Sequence, residues 1–365
     1  MSIMQLAYFP YLMLGDVEEI IYGNVKVWNF KKKAAEYIPD ETLRNKVKAL
    51  LSTNKYGNSV IEDMGILSIG DIDFHQATAA DMAIAREIRL ILFLSWIAQN
   101  NVRLHDANAG HFIATSENFE LAYQDFQLES DNISESTGYI VTHQIWGYKI
   151  GETSFIAPSH VLRPLSVSFD ADLRATLMSL KVIDRALYNR ILRATDLLFE
   201  SYYNNPNVSL NARILLQVGA LEVLLDLPTE GQRKRLKNDI ESMTVLPSDP
   251  VEAYPFEIRP GVTQTETRSI KVKWADRFYT LRNHIIHGDE VPVPEFLFER
   301  QRHTDIAAMF FVLLTKMLLN DRLGETIFYD KIIWASFKDR NEVEREGFVY
   351  DNGLLEKIKA ALHSS

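Results

Sequence analysis

Trp274-Ala275-Asp276-Arg277-Phe278-Tyr279-Thr280-Leu281-Arg282-Asn283-His284-Ile285-Ile286-His287-Gly288 is the stretch on which the reading of this chain turns. Trp274, Phe278, Leu281 and Ile285 recur at i, i+4, i+7 and i+11, a stripe that one side of a helix presents to a core. The spacing predicts a helix over Arg268 to His287, ended by Gly288 in a left-handed conformation. Arg282 and His287 lie off the stripe near the helix end. Five residues at ~100° each set them about 140° apart around the axis, so one regular helix does not aim both at one point. Either the last turn distorts, or two copies of the helix face each other and bring two Arg and two His to one cleft.

Those residue types suit phosphodiester cleavage. A free imidazole titrates near ~6.5 and can take the proton of an RNA 2′-hydroxyl, then serve the leaving oxygen. A guanidinium can hold the phosphate with two parallel hydrogen bonds and stabilise the added charge of the transition state. No metal or other cofactor is needed, and DNA, lacking the hydroxyl, is not a substrate. Between Arg268 and His287 the charged residues are Arg268, Lys271, Lys273, Arg277 and Arg282 against the single acid Asp276. Lys271, Lys273, Arg277 and His284 are therefore candidate RNA contacts. The plain alternatives are a solvated basic face, a spare surface His284, an Arg282 ion-paired to Asp289 or Glu290, and a His287 that serves the helix C-terminus.

Upstream, Glu222 interrupts the apolar run Ile214-Leu215-Leu216-Gln217-Val218-Gly219-Ala220-Leu221-Glu222-Val223-Leu224-Leu225. An unpaired carboxylate there would be costly, so a basic partner is expected, with Arg282 the candidate. Glu222 is then either an orienting residue or one half of a purely structural pair.

These two segments carry a resemblance. Arg282-Asn283, three further residues and His287-Gly288 are similar to the signature of HEPN domains. The helix Ala212 to Leu225 resembles the "ALE-LL" helix of the Apea-like HEPN group, in the same order along the chain. The likeness covers roughly Asn211 to Asn320. It implies an all-α helical bundle that forms a homodimer through the motif helix. It implies a metal-independent endoribonuclease leaving 2′,3′-cyclic phosphate ends, with Arg282 and His287 catalytic and Asn283 supporting. Such domains occur in toxins and phage-defence proteins. Others are inactive modules that bind RNA, a nucleotide or a protein, and that alternative stands.

The rest of the chain is read outward from there. With 365 residues, two domains are expected, and 47% hydrophobic with 24% charged residues is an ordinary globular composition. The net charge of −10 and pI near 5.5 exclude a general nucleic-acid coat, so any RNA contact must be local. The absence of cysteine excludes disulfides, thiolate metal sites and a cysteine nucleophile, and fits a reducing cytoplasm. Met1 to Leu6 lacks the basic region of a secretory signal. The longest apolar runs, Leu90 to Ala98 and Ile306 to Thr315, fall short of the ~18 residues that span a bilayer, so no membrane partner is expected.

Residues 1–169 read as a mixed α+β domain of sensing or regulatory role, with a phage component or nucleotide as its trigger. Strands are expected at Asn24–Phe30, Tyr139–Ile150 and Val161–Phe169, and helices at Asp40–Leu51 and Ala80–Gln99. Residues 170–365 read as the helical domain. Asp170 opens one long helix or two in tandem to Leu198. Helices follow over Leu210–Leu225, after the capping-box spacing of Thr229 to Gln232, over Thr304–Asn320, and over Leu354–Leu362. The proline-bearing stretch Pro247–Thr267 reads as a loop. Asp71, Asp73, His75, His105, Asp106 and His111 match no ligand spacing, and no Gly-rich phosphate loop or Gly-x-Ser-x-Gly elbow is present.

Overall fold

The computed structural model describes residues 3–61, 63–70, 74–104, 115–137, 148–150, 154–157, 165–166, 168–204, 208–242, 251–259, 262–298 and 301–323. The chain divides into two compact units. The first comprises Met1–Asn100, Asn108–Met178 and Tyr202–Val208, and the second Asn101–Ala107, Ser179–Ser201 and Ser209–Ser365.

The first unit is built on one large sheet and a small three-stranded one. Its strands are β1 (Met4–Met13), β2 (Glu19–Tyr22) and β3 (Val25–Asn29), then, after helices α1 (Phe30–Tyr37) and α2 (Glu41–Leu51) and the short β4 (Asn54–Tyr56) and β5 (Ser59–Val60), β6 (Met64–Ile69). Helix α3 (Ala79–Leu104) follows, then β7 (Ala122–Gln127), β8 (Ser130–Thr137), β9 (Tyr148–Lys149), β10 (Phe155–Ile156) and β11 (Leu165–Ser166). The spatial order is β2-β3-β6-β1-β7-β8-β9 in the large sheet and β10-β4-β5 in the small one. Neighbours along the large sheet's path run antiparallel, and β11 lies parallel to the end of β1.

Alternation along the strands fills both faces. Leu6, Tyr8, Trp28, Ile66 and Phe126 turn to one face and pack with Ala34 of α1, Ile38 just after it, and Val47, Leu50 and Leu51 of α2. Gln5, Ala7, Leu67, Ile69 and Tyr123 turn to the other, beside Asp81 and Ala85 of α3. Asp40 caps α2 by accepting from Leu43 N at 2.8 Å. Thr78 and Asp81 form the reciprocal box that opens α3.

Helix α4 (Ala171–Ile183) belongs to the first unit through Met178 and to the second from Ser179, where it gives way to α5 (Arg185–Ser201). Asp184 ends one helix and caps the next, accepting from Leu187 N at 3.0 Å, so the apolar periodicity from Asp170 is carried by two helices. Next come α6 (Leu210–Leu224), α7 (Gln232–Glu241), β12 (Val251–Arg259), β13 (Val262–Ser269), α8 (Ile270–His287), β14 (Leu297–Phe298), β15 (Gln301–Arg302) and α9 (His303–Leu323). Helix α6 packs against α5, α8 and α9, and α7 and the β12–β13 hairpin flank α8.

Three sequence readings need correction. The unit is mainly helical, not all-α. Pro247–Thr267 is not a loop where described, because Val251–Arg259 pairs with Val262–Ser269 as an antiparallel hairpin. Its prolines mislead: Pro255 sits opposite Thr265 in a two-stranded ribbon, where an open edge tolerates a residue without an N–H. The capping box expected at Thr229 to Gln232 is also replaced. Gly231, with φ of 71°, is the N-cap of α7 and makes no side-chain cap bond.

Tyr139 to Gly147, most of Val161–Phe169 and Leu354–Leu362 lie outside the described residues. Among the described residues no helix is long and apolar enough to cross a membrane.

Candidate functional site

Helix α8 is positioned by its apolar side. Trp274 and Phe278 stack with ring centroids 5.1 Å apart, and Trp274 also stacks on Phe310 of α9 at 4.6 Å. His303, at the start of α9, is 2% exposed and lies face to face with Phe278 at 5.5 Å. Burial pushes its imidazole down to about 4, helped by the Arg277 guanidinium. Asp276 anchors the other side. Buried, it accepts from Arg233 Nε and Nη2 at 2.9 and 2.8 Å, and Lys237 Nζ stands 3.3 Å away. These partners come from α7, so a bidentate charged pair sets the roll of α8 against its neighbour.

At its end α8 closes in a Schellman arrangement. Gly288 takes φ of 78°, its N–H donates to Ile285 O at 3.2 Å, and Asp289 N donates to His284 O at 3.0 Å. The last turn therefore leaves the helix regular and directs the following chain away from it.

Between these anchors sits a polar cluster. Arg282 is half-buried; its Nη1 donates to Asn283 Oδ1 at 3.1 Å and its Nη2 stands 3.7 Å from Glu222 Oε1 of α6. The guanidinium lies over the Tyr279 ring, 5.2 Å from its centroid. The Tyr279 hydroxyl is 3.0 Å from Glu222 Oε1 and 2.7 Å from Gln232 Oε1. One phenolic proton serves one acceptor at a time. Burial, then the Glu222 carboxylate, push that phenol up to about 12, against the opposing pull of Arg282, so it remains a donor.

Arg282, Asn283 and Glu222 are thus brought together, and His287 is not among them. It is exposed on the last turn with no hydrogen-bond or ion-pair partner among the described residues. His284, also exposed, has Nδ1 3.9 Å from Asp289 Oδ2, so Asp289 faces His284 and Arg282 pairs elsewhere.

The basic stripe is largely consumed within the unit, and one expected RNA contact, Lys271, is corrected. Lys271 is fully buried and cannot meet a phosphate. Lys273 is half-buried with its Nζ 5.8 Å from the Phe298 ring centroid. Arg268 is held by Glu241 and Glu266. Arg277 remains exposed. A count of charges along the helix could not show this, because the neutralising carboxylates come from α7 and β13.

Tyr279 and Gln232 were missed as members of the cluster. Tyr279 lies three residues before Arg282, on the same helix face, and that spacing was a usable signal. Gln232 carried none, since its approach depends on how α7 packs. Of the residues that could be drawn into a metal set, His75 is described, while Asp71, Asp73, His105, Asp106 and His111 lie outside the described residues. Among the described residues no group of three or more His, Cys, Asp or Glu side chains gathers as a metal site.

Compared with family models, with curated proteins and with solved structures, the chain finds no significant match.

Proposed function

We propose that this chain is a metal-independent endoribonuclease of the HEPN type, whose cleft is completed by a second copy of the same chain. The supporting observation is the split between its two candidate groups. Arg282 is held at Glu222 and Asn283, while His287 stands exposed and unpartnered on the last turn of the same helix, among the described residues. A two-fold contact across α8 would set His287 of one copy against Arg282 of the other.

The chemistry then runs on these groups. The His287 imidazole takes the proton of a 2′-hydroxyl, and the freed oxygen attacks the adjacent phosphorus. Arg282 stabilises the extra negative charge, and the 5′-oxygen leaves with a proton from a protonated imidazole. A 2′,3′-cyclic phosphate and a 5′-hydroxyl result. A guanidinium has five N–H donors, and one serves Asn283, which leaves others for the phosphate. Glu222, with Tyr279, orients the guanidinium. The amino-terminal unit would hold the nuclease until a phage or nucleotide trigger arrives, the arrangement of a toxin or defence effector.

The test is cleavage of mixed RNA in EDTA by the full chain and by Arg282→Ala and His287→Ala. Both variants should be inactive alone, and mixing them should restore cleavage, because the mixed dimer rebuilds one complete Arg–His pair. Intact RNA with the unmodified chain, with and without candidate triggers, would favour a non-catalytic binding module. The internal use of Lys271 and Arg268 is the observation on that side.

A further inference from the structure

The hairpin that leads into α8 has two outer edges, and they differ. β12 and β13 pair with each other and with no further strand among the described residues. On β12, Pro255 lacks an N–H and the register shifts between Glu257 and Arg259, so that edge is interrupted. On β13, Val262–Ser269 runs without proline, glycine or lysine, and its register is regular from Thr263 to Ser269. The devices that usually blunt an exposed edge are present on one side of the ribbon and missing on the other.

The register fixes what the open edge presents. Pro255 lies opposite Thr265, while Tyr254 and Phe256 lie opposite Glu266 and Gln264. Hydrogen-bonded and non-bonded positions alternate along an antiparallel pair, and a proline takes the position that needs no N–H. Gln264, Glu266 and Arg268 are therefore the positions bonded to β12. Thr263, Thr265 and Thr267 turn their N–H and C=O groups outward, and these have no hydrogen-bond partner among the described residues. Their side chains are exposed as well.

This row is its own complement. Laid antiparallel to itself about Thr265, the strand sets Thr265 of one copy against Thr265 of the other, and Thr263 against Thr267. Each is a position where both N–H···O bonds are exchanged, and threonine facing threonine is a favourable cross-strand pair. At the alternate positions Gln264 meets Glu266 and Val262 meets Arg268, so no like charges oppose each other. Glu266 is already held by Lys237 and Arg268 of its own copy. In a chain of net charge −10, an edge that sets no like charges together is one that a second copy can approach.

We propose that β13 joins a second copy of this chain edge to edge, so that two hairpins form one antiparallel sheet about a two-fold axis at Thr265. This contact does not rest on the nuclease reading and is separate from a contact at the end of α8. Thr265 precedes that helix and His287 ends it, 18 residues or ~27 Å along its axis. Where both contacts form, the assembly exceeds a dimer.

The chain has no cysteine, so one introduced thiol reports the contact in the full-length protein. Thr265→Cys treated with oxidised glutathione should give a disulfide-linked dimer, because residues opposed at a bonded position lie ~5.5 Å apart, within disulfide reach. Thr263→Cys alone would stand four residues from its counterpart, ~13 Å away, and should cross-link at least tenfold more slowly. Mixed with Thr267→Cys, it should regain the fast rate. Thr265→Lys sets two ammonium groups face to face and should halve the mass measured by sedimentation. No covalent dimer from Thr265→Cys, equal rates for Thr265→Cys and Thr263→Cys, or an unaltered mass for Thr265→Lys would overturn the proposal. No readout uses RNA, so failure here and failure of the nuclease are told apart.

Discussion

Replacing His303 by Phe should make the chain gain stability relative to the unmodified protein as pH falls from 7 to 4. The ring is buried among Trp274, Phe278 and Phe298, and Nδ1 has no hydrogen-bond partner among the described residues. Its value falls from the ordinary 6.5 to about 4 on folding. The unfolded chain therefore binds a proton in this window that the folded chain refuses. The stability His303 allows is complete above pH 6.5 and is lost as pH falls towards 4. At ~1.4 kcal/mol per unit, that is about 3 kcal/mol.

Asp305, two residues on, acts with the opposite sign. Burial raises it from 3.8 to about 6, with Arg302 and Thr304 pulling the other way. Its contribution is present below 3.8 and is lost as pH rises through about 6, again on the order of 3 kcal/mol. In the unmodified chain the two nearly cancel. His303→Phe should expose the Asp305 trend, and Asp305→Asn the His303 trend. Urea unfolding at pH 4, 5, 6 and 7, read as the difference from the unmodified chain, should give two lines of opposite slope. Lines parallel to the unmodified protein would refute the argument that desolvation at the start of α9 governs both groups.

Three further outcomes follow from the same unit. Asp276→Ala strands Arg233 and the mostly buried Lys237 and should lower stability by about 3–5 kcal/mol, measurable by denaturant unfolding. Gly288→Ala meets no atom within 4 Å but must hold a φ of 78°, so the loss should be only about 1 kcal/mol by the same measurement, and smaller still for Gly288→Asn. Tyr279→Phe frees Glu222 from its phenol donor. If Tyr279 positions Arg282, kcat for RNA cleavage should fall by between about tenfold and a hundredfold with KM little changed, whereas a purely structural role would alter the melting temperature alone.

Local periodicity made much of the architecture legible. The stripe of Trp274, Phe278 and Leu281 is buried as its spacing required, and Asp40, Asp170 and Gly288 sit at helix ends because caps act within one turn. The same locality explains Arg282 and Glu222: a carboxylate within an apolar run implies a cation nearby, whatever the fold. The hairpin at Val251–Ser269 was hidden because proline is a strong local signal, while the pairing that overrides it is made across strands.

What tertiary structure alone decided is which charges face outward. Five cations on one segment look like an RNA path, yet Lys271 is buried and Arg268 is neutralised by Glu241 and Glu266. Tyr279 likewise joins Glu222 and Gln232 only because three separate helices converge there. The order of residues sets backbone conformation through neighbours a few positions away. The electrostatic fate of a side chain depends on groups far along the chain, and these are named only once the helices have packed.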